Sequence, residues 1–449
     1  MKYGVETKKG GRRRMMKIYR NNLVFEFENE IFNVPLSEPW NIYKGDTQIA
    51  PDYEKLISKK RGKINYITLY ITDKCNLACT YCFNKTNNEK VTYTFFPERN
   101  IEKIIEFLKR TDIHFVTIRF FGGEPLLEIE YIEKILKYIE MKIKNKELAI
   151  NVQYNVFTNG TILNDKILEI LRRYNIFIFI SIDGCKEMHD INRKYPNGSG
   201  SFDLVLRNAQ ILNKQFPYKL IVRCIFDPSQ NQISLVDVAD KLFNYGFFVV
   251  SIESPWVDKN FHMALNKNNL LNIKGHIKNF TFEYIKRIKN KNYSLIGIHP
   301  FSRYIQFLVN KCNFLDIYSC GAGAEMIAIS TKGDIYPCHA FVGKEKFKLG
   351  NITEGITNLS LHNGFKKFSA EYIPKCKECP IRYFCTIRCP ADFYFFNGDI
   401  YAPNEYRCEI AKEIIKSSFY IYYILKTEMP YQLKVLKRFL NRFKSISQV

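Results

Sequence analysis

Three cysteines, Cys75, Cys79 and Cys82, lie in the run Ile-Thr-Asp-Lys-Cys-Asn-Leu-Ala-Cys-Thr-Tyr-Cys-Phe, spaced Cys-x3-Cys-x2-Cys. Thiolates this close on one loop can hold three irons of a [4Fe–4S] cube. The fourth iron then has no protein ligand nearby, because the next cysteine is Cys185. An open iron can bind a small molecule and pass it an electron. A structural zinc site is normally closed by a fourth ligand within reach. On this loop alone, zinc or a set of inert thiols remains the alternative.

The spacing, with Tyr81 just before the third cysteine, resembles the signature of the radical SAM family. The resemblance implies that S-adenosylmethionine chelates the open iron. One electron then cleaves a carbon–sulfur bond, and the 5′-deoxyadenosyl radical takes a hydrogen atom from the substrate. Further along stands Gly122-Gly123-Glu124-Pro125, similar to the family motif that binds the methionine amino group. The glycines let backbone approach a ligand, and the carboxylate can accept from an ammonium. Then come Asn159 in Thr-Asn-Gly, and Ser181-Ile182-Asp183-Gly184 followed by His189, Asp190 and Arg193. This series is similar to that of anaerobic sulfatase-maturating enzymes and their peptide-modifying relatives. It implies that Ser181 and Arg193 contact S-adenosylmethionine. By residue type, the small hydroxyl and carboxylate groups at these strand ends, near Asn159 and Asp183, can hold ribose hydroxyls, and Arg193 can hold a carboxylate with a two-pronged contact. Helix capping and loop hydrogen bonding are the plainer roles for Asp183 and His189. Phe83 is placed beside the adenine or in an ordinary core contact.

A second set of cysteines, Cys320, Cys338, Cys376, Cys379, Cys385, Cys389 and Cys408, resembles the SPASM domain, which holds two auxiliary [4Fe–4S] clusters. A pair of zinc ribbons is the structural alternative. The resemblance assigns Cys320, Cys338 and Cys389 to the first auxiliary cluster, with Cys312 the best candidate for its fourth ligand or else an open iron where a substrate thiolate could bind. It assigns Cys376, Cys379, Cys385 and Cys408 to the second. Cys185 and Cys224 are left as buried thiols.

These residues need a scaffold. Residues 64–255 alternate strand-like and helix-like stretches. The strands read as Ile64–Thr72, Phe115–Phe121, Ala149–Phe157, Phe177–Ile182, Leu220–Phe226 and Phe247–Glu253, with amphipathic helices between them. Six β–α units predict an α/β fold, a partial (β/α)6 TIM-like barrel with its chemistry at the C-terminal strand ends. The cysteine loop follows the first strand, in keeping with that rule. The expected divisions are an N-terminal extension over 1–63 with a hairpin within Met16–Val34, the radical SAM core over 64–255, a helical connector over 256–311, the SPASM domain over 312–408, and C-terminal helices over 409–449. The basic amphipathic stretch Tyr431–Phe443 packs on the body, or else touches a membrane surface or a partner.

The chain of 449 residues is 46% hydrophobic and 25% charged, as soluble globular proteins are. It shows no apolar run of membrane-span length and no signal-peptide pattern, so the expected compartment is the cytoplasm. There, 13 cysteines point to metal ligands rather than disulfides. The net charge of +22 is spread along the chain. It suits a solvated lysine-rich surface or attraction to an acidic peptide better than a nucleic-acid partner.

In the sulfatase-maturating branch an aspartate base follows the cysteine at the position of Cys338. Here the residue is His339, which can serve as a base. The expected function is therefore a radical SAM maturase of a ribosomally made precursor peptide, installing a thioether or carbon–carbon crosslink. Conversion of a Cys or Ser to formylglycine in a sulfatase is the alternative, and a metal-dependent scaffold or a nucleic-acid-modifying enzyme stands further off. An electron donor of flavodoxin or ferredoxin type is implied.

Overall fold

The computed structural model describes residues 16–45, 62–84, 99–110, 113–227, 233–311, 316–318 and 320–442. Cys312 lies outside them.

The barrel strands are β5 (Tyr66–Thr72), β6 (Phe115–Gly122), β7 (Asn151–Thr158), β8 (Phe177–Ser181), β9 (Leu220–Ile225) and β10 (Val250–Glu253), all parallel and paired in chain order. Helices over Arg99–Arg110, Ile129–Lys144, Asp165–Arg173, Phe202–Gln215 and Leu235–Asn244 run between them. Each strand turns Ile, Val, Leu or Phe outward under a helix; Ile67, Leu69, Ile118, Phe120, Val156, Ile178, Ile180 and Val222 are all buried. Each such side chain contributes about 1.5–3 kcal/mol when removed from water. The six strands of the expected partial barrel are thus present in the expected order. A short helix, Lys186–Asn192, was not anticipated, because its seven residues carry too little periodicity.

The sheet does not stop at six strands. The connector expected to be helical adds β11 (Ile298–His299), parallel to β10. At the other edge β12 (Met326–Ile329) runs parallel to β5. The antiparallel strands β13 (Asp334–Tyr336), β14 (Gly350–Asn351) and β15 (Gly355–Ile356) continue outward from it. One eleven-stranded sheet therefore joins the barrel to the cysteine-rich region, which places Cys338 close to the barrel mouth.

Near the N-terminus, β1 (Met16–Tyr19), β2 (Asn22–Phe27), β3 (Glu30–Pro35) and β4 (Tyr43–Lys44) form an antiparallel sheet of four strands rather than a single hairpin. Its aromatic face packs on the helix Glu405–Glu428, with Phe27 stacked 4.4 Å from Tyr420 and Phe32 edge-on 5.2 Å from Tyr423. Pro430 begins the last helix, Pro430–Arg442, whose Leu436 and Leu440 are buried in the main core. No helix among the described residues is long and apolar enough to cross a membrane.

Candidate active site at the barrel mouth

The glycine motif is stitched to the cysteine loop by backbone. Gly123 N–H donates to Thr72 O and Glu124 N–H to Lys74 O, each at 2.8 Å. Gly122 has φ +140, and a Cβ there would stand 2.2 Å from Thr72 O; at Gly123 it would stand 2.2 Å from Lys74 O. Only glycine permits this approach. On its far side the loop is held by Ala78 N–H to Lys194 O (2.7 Å) and Thr80 N–H to Asn192 O (3.0 Å). Asn159 donates to the Cys75 sulfur at 3.7 Å and to Asn76 at 2.9 Å, so the end of β7 also fixes the loop.

Glu124 departs from the expected role of its carboxylate. The side chain is fully buried and accepts from Asn159 N–H (2.6 Å), the Thr158 hydroxyl (2.8 Å) and Leu126 N–H (3.0 Å). Burial raises its pKa to about 7, against the pull of those three bonds. It braces the end of β6 to β7 through these bonds. Pro125 opens a short 3-10 turn behind the glycines.

Asp183 and Arg193 form a buried ion pair at 2.8 Å. Asp183 also accepts from the Tyr81 hydroxyl and from Ile225 N–H (2.8 Å), and the Arg193 guanidinium lies 5.3 Å from the Tyr81 ring centre. The aromatic before the third cysteine thus anchors the loop to the ends of β8 and β9. Arg193 acts electrostatically on Cys79, opposing burial, which raises that thiol to about 11. Ser181 ends β8, half-buried and in register with Arg223. His189 is a fixed link. Its Nδ1 accepts from Asp183 N–H (3.3 Å), so Nε2 carries the proton and donates to Ser201 Oγ (3.0 Å), which donates to Arg193 O (2.8 Å). Burial lowers its pKa to about 4. Asp190 caps the following helix through Ser201 and Phe202 N–H, both at 2.9 Å.

The cysteines fall into three electrostatic neighbourhoods. Cys79 feels Cys75 and Cys82; Cys338 and Cys389 both feel Cys320; Cys408 feels Cys376, Cys379 and Cys385. Apart from Cys312, which lies outside the described residues, these neighbourhoods contain the cysteines that the resemblance groups together. Among the described residues no three donors converge where one metal ion would sit. The last four cysteines instead line a common cavity of about 710 Å³, wide enough for a polynuclear group. Burial raises Cys376 to about 11 and Cys338 to about 12, so metal entry must expel protons. Cys185 and Cys224 are buried away from these groups, at 2% and 0% exposure.

Between the first two neighbourhoods lies a cluster of packed aromatic rings. The His339 ring is 4.8 Å from Phe121 and 5.8 Å from both Phe83 and Trp256, and Phe83 lies 6.3 Å from Phe395. Phe83 therefore packs against His339, one residue beyond Cys338. Burial lowers the His339 pKa to about 3, helped by Arg119 and Arg223. The ring is neutral and able to accept a proton, though weakly basic. Sequence reading missed the charged members of the wall: Arg119, 4.3 Å from the Tyr66 ring, and Arg223, paired with Glu253 at 2.9 Å. Their signal was a charge at alternate positions inside otherwise apolar strands.

The radical SAM superfamily profile matches residues 69–242, and the iron–sulfur cluster-binding SPASM profile matches 320–380. The chain belongs to the radical SAM superfamily and carries a SPASM domain. It is 25% identical over 415 residues to the radical SAM cyclopropyl synthase TigE of Paramaledivibacter caminithermalis, spanning 86% of this chain and 82% of that one. It is 27% identical over 371 residues to a cysteine-type anaerobic sulfatase-maturating enzyme of Clostridium novyi, spanning 78% and 92%. Its fold is similar to that of a solved His-tagged anSMEcpe with bound AdoMet, with a TM-score of 0.67 at 20% identity over 84% of this chain and 98% of that one. The cofactors are those of the family: a [4Fe–4S] cluster that works with S-adenosylmethionine, and auxiliary iron–sulfur clusters. Cys385, Cys389 and Cys408 lie beyond the second match.

Proposed function

We propose that this chain is a peptide maturase that crosslinks a ribosomally made precursor through a thioether or carbon–carbon bond. Cys75, Cys79 and Cys82 would hold the cluster that binds S-adenosylmethionine, with the Gly122–Gly123 backbone, Asn159, Ser181, Asp183 and Arg193 around the cofactor. When bound, the two cofactors supply an electron and a 5′-deoxyadenosyl radical that removes a hydrogen atom from the substrate. Cys320, Cys338, Cys389 and Cys312, and separately Cys376, Cys379, Cys385 and Cys408, would hold the auxiliary clusters that take up the second electron. Phe83, Phe121 and Trp256 would exclude water from the site around His339 and border the substrate side chain. His339 accepts the proton lost as the new bond forms. The electron donor would be a flavodoxin- or ferredoxin-like protein, and the compartment the cytoplasm.

The observation that carries this reading is the aromatic cluster around His339, which stands beside Cys338 where a carboxylate would otherwise be expected. A carboxylate base there would favour formylglycine formation. Similarity to both TigE and a sulfatase-maturating enzyme keeps that second reaction as the alternative. Anoxic reconstitution with each short peptide encoded beside the gene, followed by mass spectrometry, separates them. The proposal expects loss of two hydrogen atoms per crosslink in one such peptide. Conversion of a Cys-x-Pro-x-Arg peptide alone would reverse the ranking.

A further inference from the structure

Arg388 is only 2% exposed, among the most buried large side chains of the described residues. Its Nη1 donates to the carbonyls of Ile317 (2.5 Å) and Tyr318 (3.0 Å), and its Nη2 to that of Arg382 (2.6 Å). It lines the cavity of Cys376, Cys379, Cys385 and Cys408, and the Cys376 sulfur accepts a hydrogen bond from it. Its Nε is buried with no partner among the described residues. Two other cations on the cavity wall are paired with carboxylates, Arg407 with Asp392 at 2.9 Å and Lys412 with Glu409 at 2.6 Å. Lys375 and Arg382 line it as well, Arg382 with its ring-side contact on Tyr383. Among the described residues no carboxylate pairs with Arg388. A guanidinium held in this way, balanced only by carbonyl dipoles, is unfavourable unless an anion completes the site.

We propose that Arg388 is the built-in counter-ion of the second auxiliary cluster, donating through Nε to a cluster sulfur and raising its reduction potential. This rests on the reading of those four cysteines as cluster ligands. Four thiolates around a [4Fe–4S] core make a dianion when oxidised and a trianion when reduced. A fixed positive charge favours the trianion, so the cluster gains its one electron more readily; no bond or proton moves. Arg388 is therefore a positioning residue that makes this cluster the final electron acceptor.

The test is an EPR-monitored redox titration of the full chain with Cys75, Cys79 and Cys82 replaced by Ala, which leaves the auxiliary clusters. Cys376→Ala identifies the signal of the second cluster; if no auxiliary signal changes there, the ligand assignment itself fails. Arg388→Gln is expected to weaken reduction of that cluster at least tenfold, a fall of about 59 mV for one electron, with the other auxiliary potential unmoved. Arg388→Lys, which keeps the charge, is expected to shift less. Unchanged potentials in Arg388→Gln would reduce Arg388 to a brace for its three carbonyls and overturn the proposal. Should Arg388→Gln not retain the cluster, pulsed EPR of the unsubstituted chain grown with 15N-arginine decides. A nitrogen coupling to the reduced second cluster is expected, and its absence would overturn the proposal.

Discussion

The loop at 75–82 and the cavity at 376–408 both gather cysteines, yet they are built differently. The first is a half-exposed loop tied at every point to its neighbours by backbone, Asn159, Tyr81 and the Asp183–Arg193 pair. Its wall includes glycines that a Cβ would block. The second is a hollow with four thiols and a buried arginine whose charge no carboxylate among the described residues offsets. On the proposed function, the first would bind a ligand that comes and goes, and the second would hold a resident group beside a fixed positive charge. A site for bond cleavage and a site for electron storage can thus use the same ligand type and differ in everything around it.

The largest test of this contrast exchanges the cysteines. Cys75→Ala is expected to abolish 5′-deoxyadenosine formation while auxiliary iron is retained. Cys376→Ala is expected to keep cleavage of S-adenosylmethionine but lose the modified peptide. Product chromatography with iron analysis checks both, and equal effects on cleavage would erase the distinction.

Next in size is Asp183→Asn. It leaves Arg193 as an uncompensated buried charge, so the folded state should lose about 3–5 kcal/mol in urea denaturation. Glu124→Ala should cost less, about 2–3 kcal/mol, because it orphans three buried donors that entering water can partly serve. Thermal melts should show both losses in the barrel and leave the iron of the second auxiliary site in place.

The smallest effect is a slope. His189 binds a proton more weakly in the folded chain than in the unfolded one, at about 4 against an ordinary 6.5. Between those values the unfolded state holds more protons, so stability falls as pH drops through this window, by up to about 1.4 kcal/mol per unit. Glu124, raised to about 7, slopes the opposite way above 4.5, so the informative quantity is a difference. His189→Gln should flatten the acid-side fall in denaturation midpoints measured from pH 6.5 to 4, and an unchanged slope would remove His189 from the account.

Much of the barrel was legible because each strand is a run of Ile, Val and Phe flanked by an amphipathic helix, and local pattern suffices for both. The cysteine groups follow from the family resemblance, and the proximity of their thiols agrees with it. Strands β12 to β15 were not, since two to four residues carry no period and pair only because β5 offers an open edge. The burial of Glu124 was equally hidden: its three donors come from β7 and from its own turn, and only the fold brings them together. Arg388 stands in plain view between Cys385 and Cys389, but its isolation from carboxylates is a tertiary fact.

The claim beneath all of this is that the thiols of 75, 79 and 82 leave one iron vacant for a sulfonium ligand. EPR of the anoxically reconstituted, reduced chain before and after adding S-adenosylmethionine tests it most directly. A changed spectrum that is lost in Cys75→Ala is the predicted result. An iron- and sulfide-loaded chain whose spectrum stays the same would contradict it.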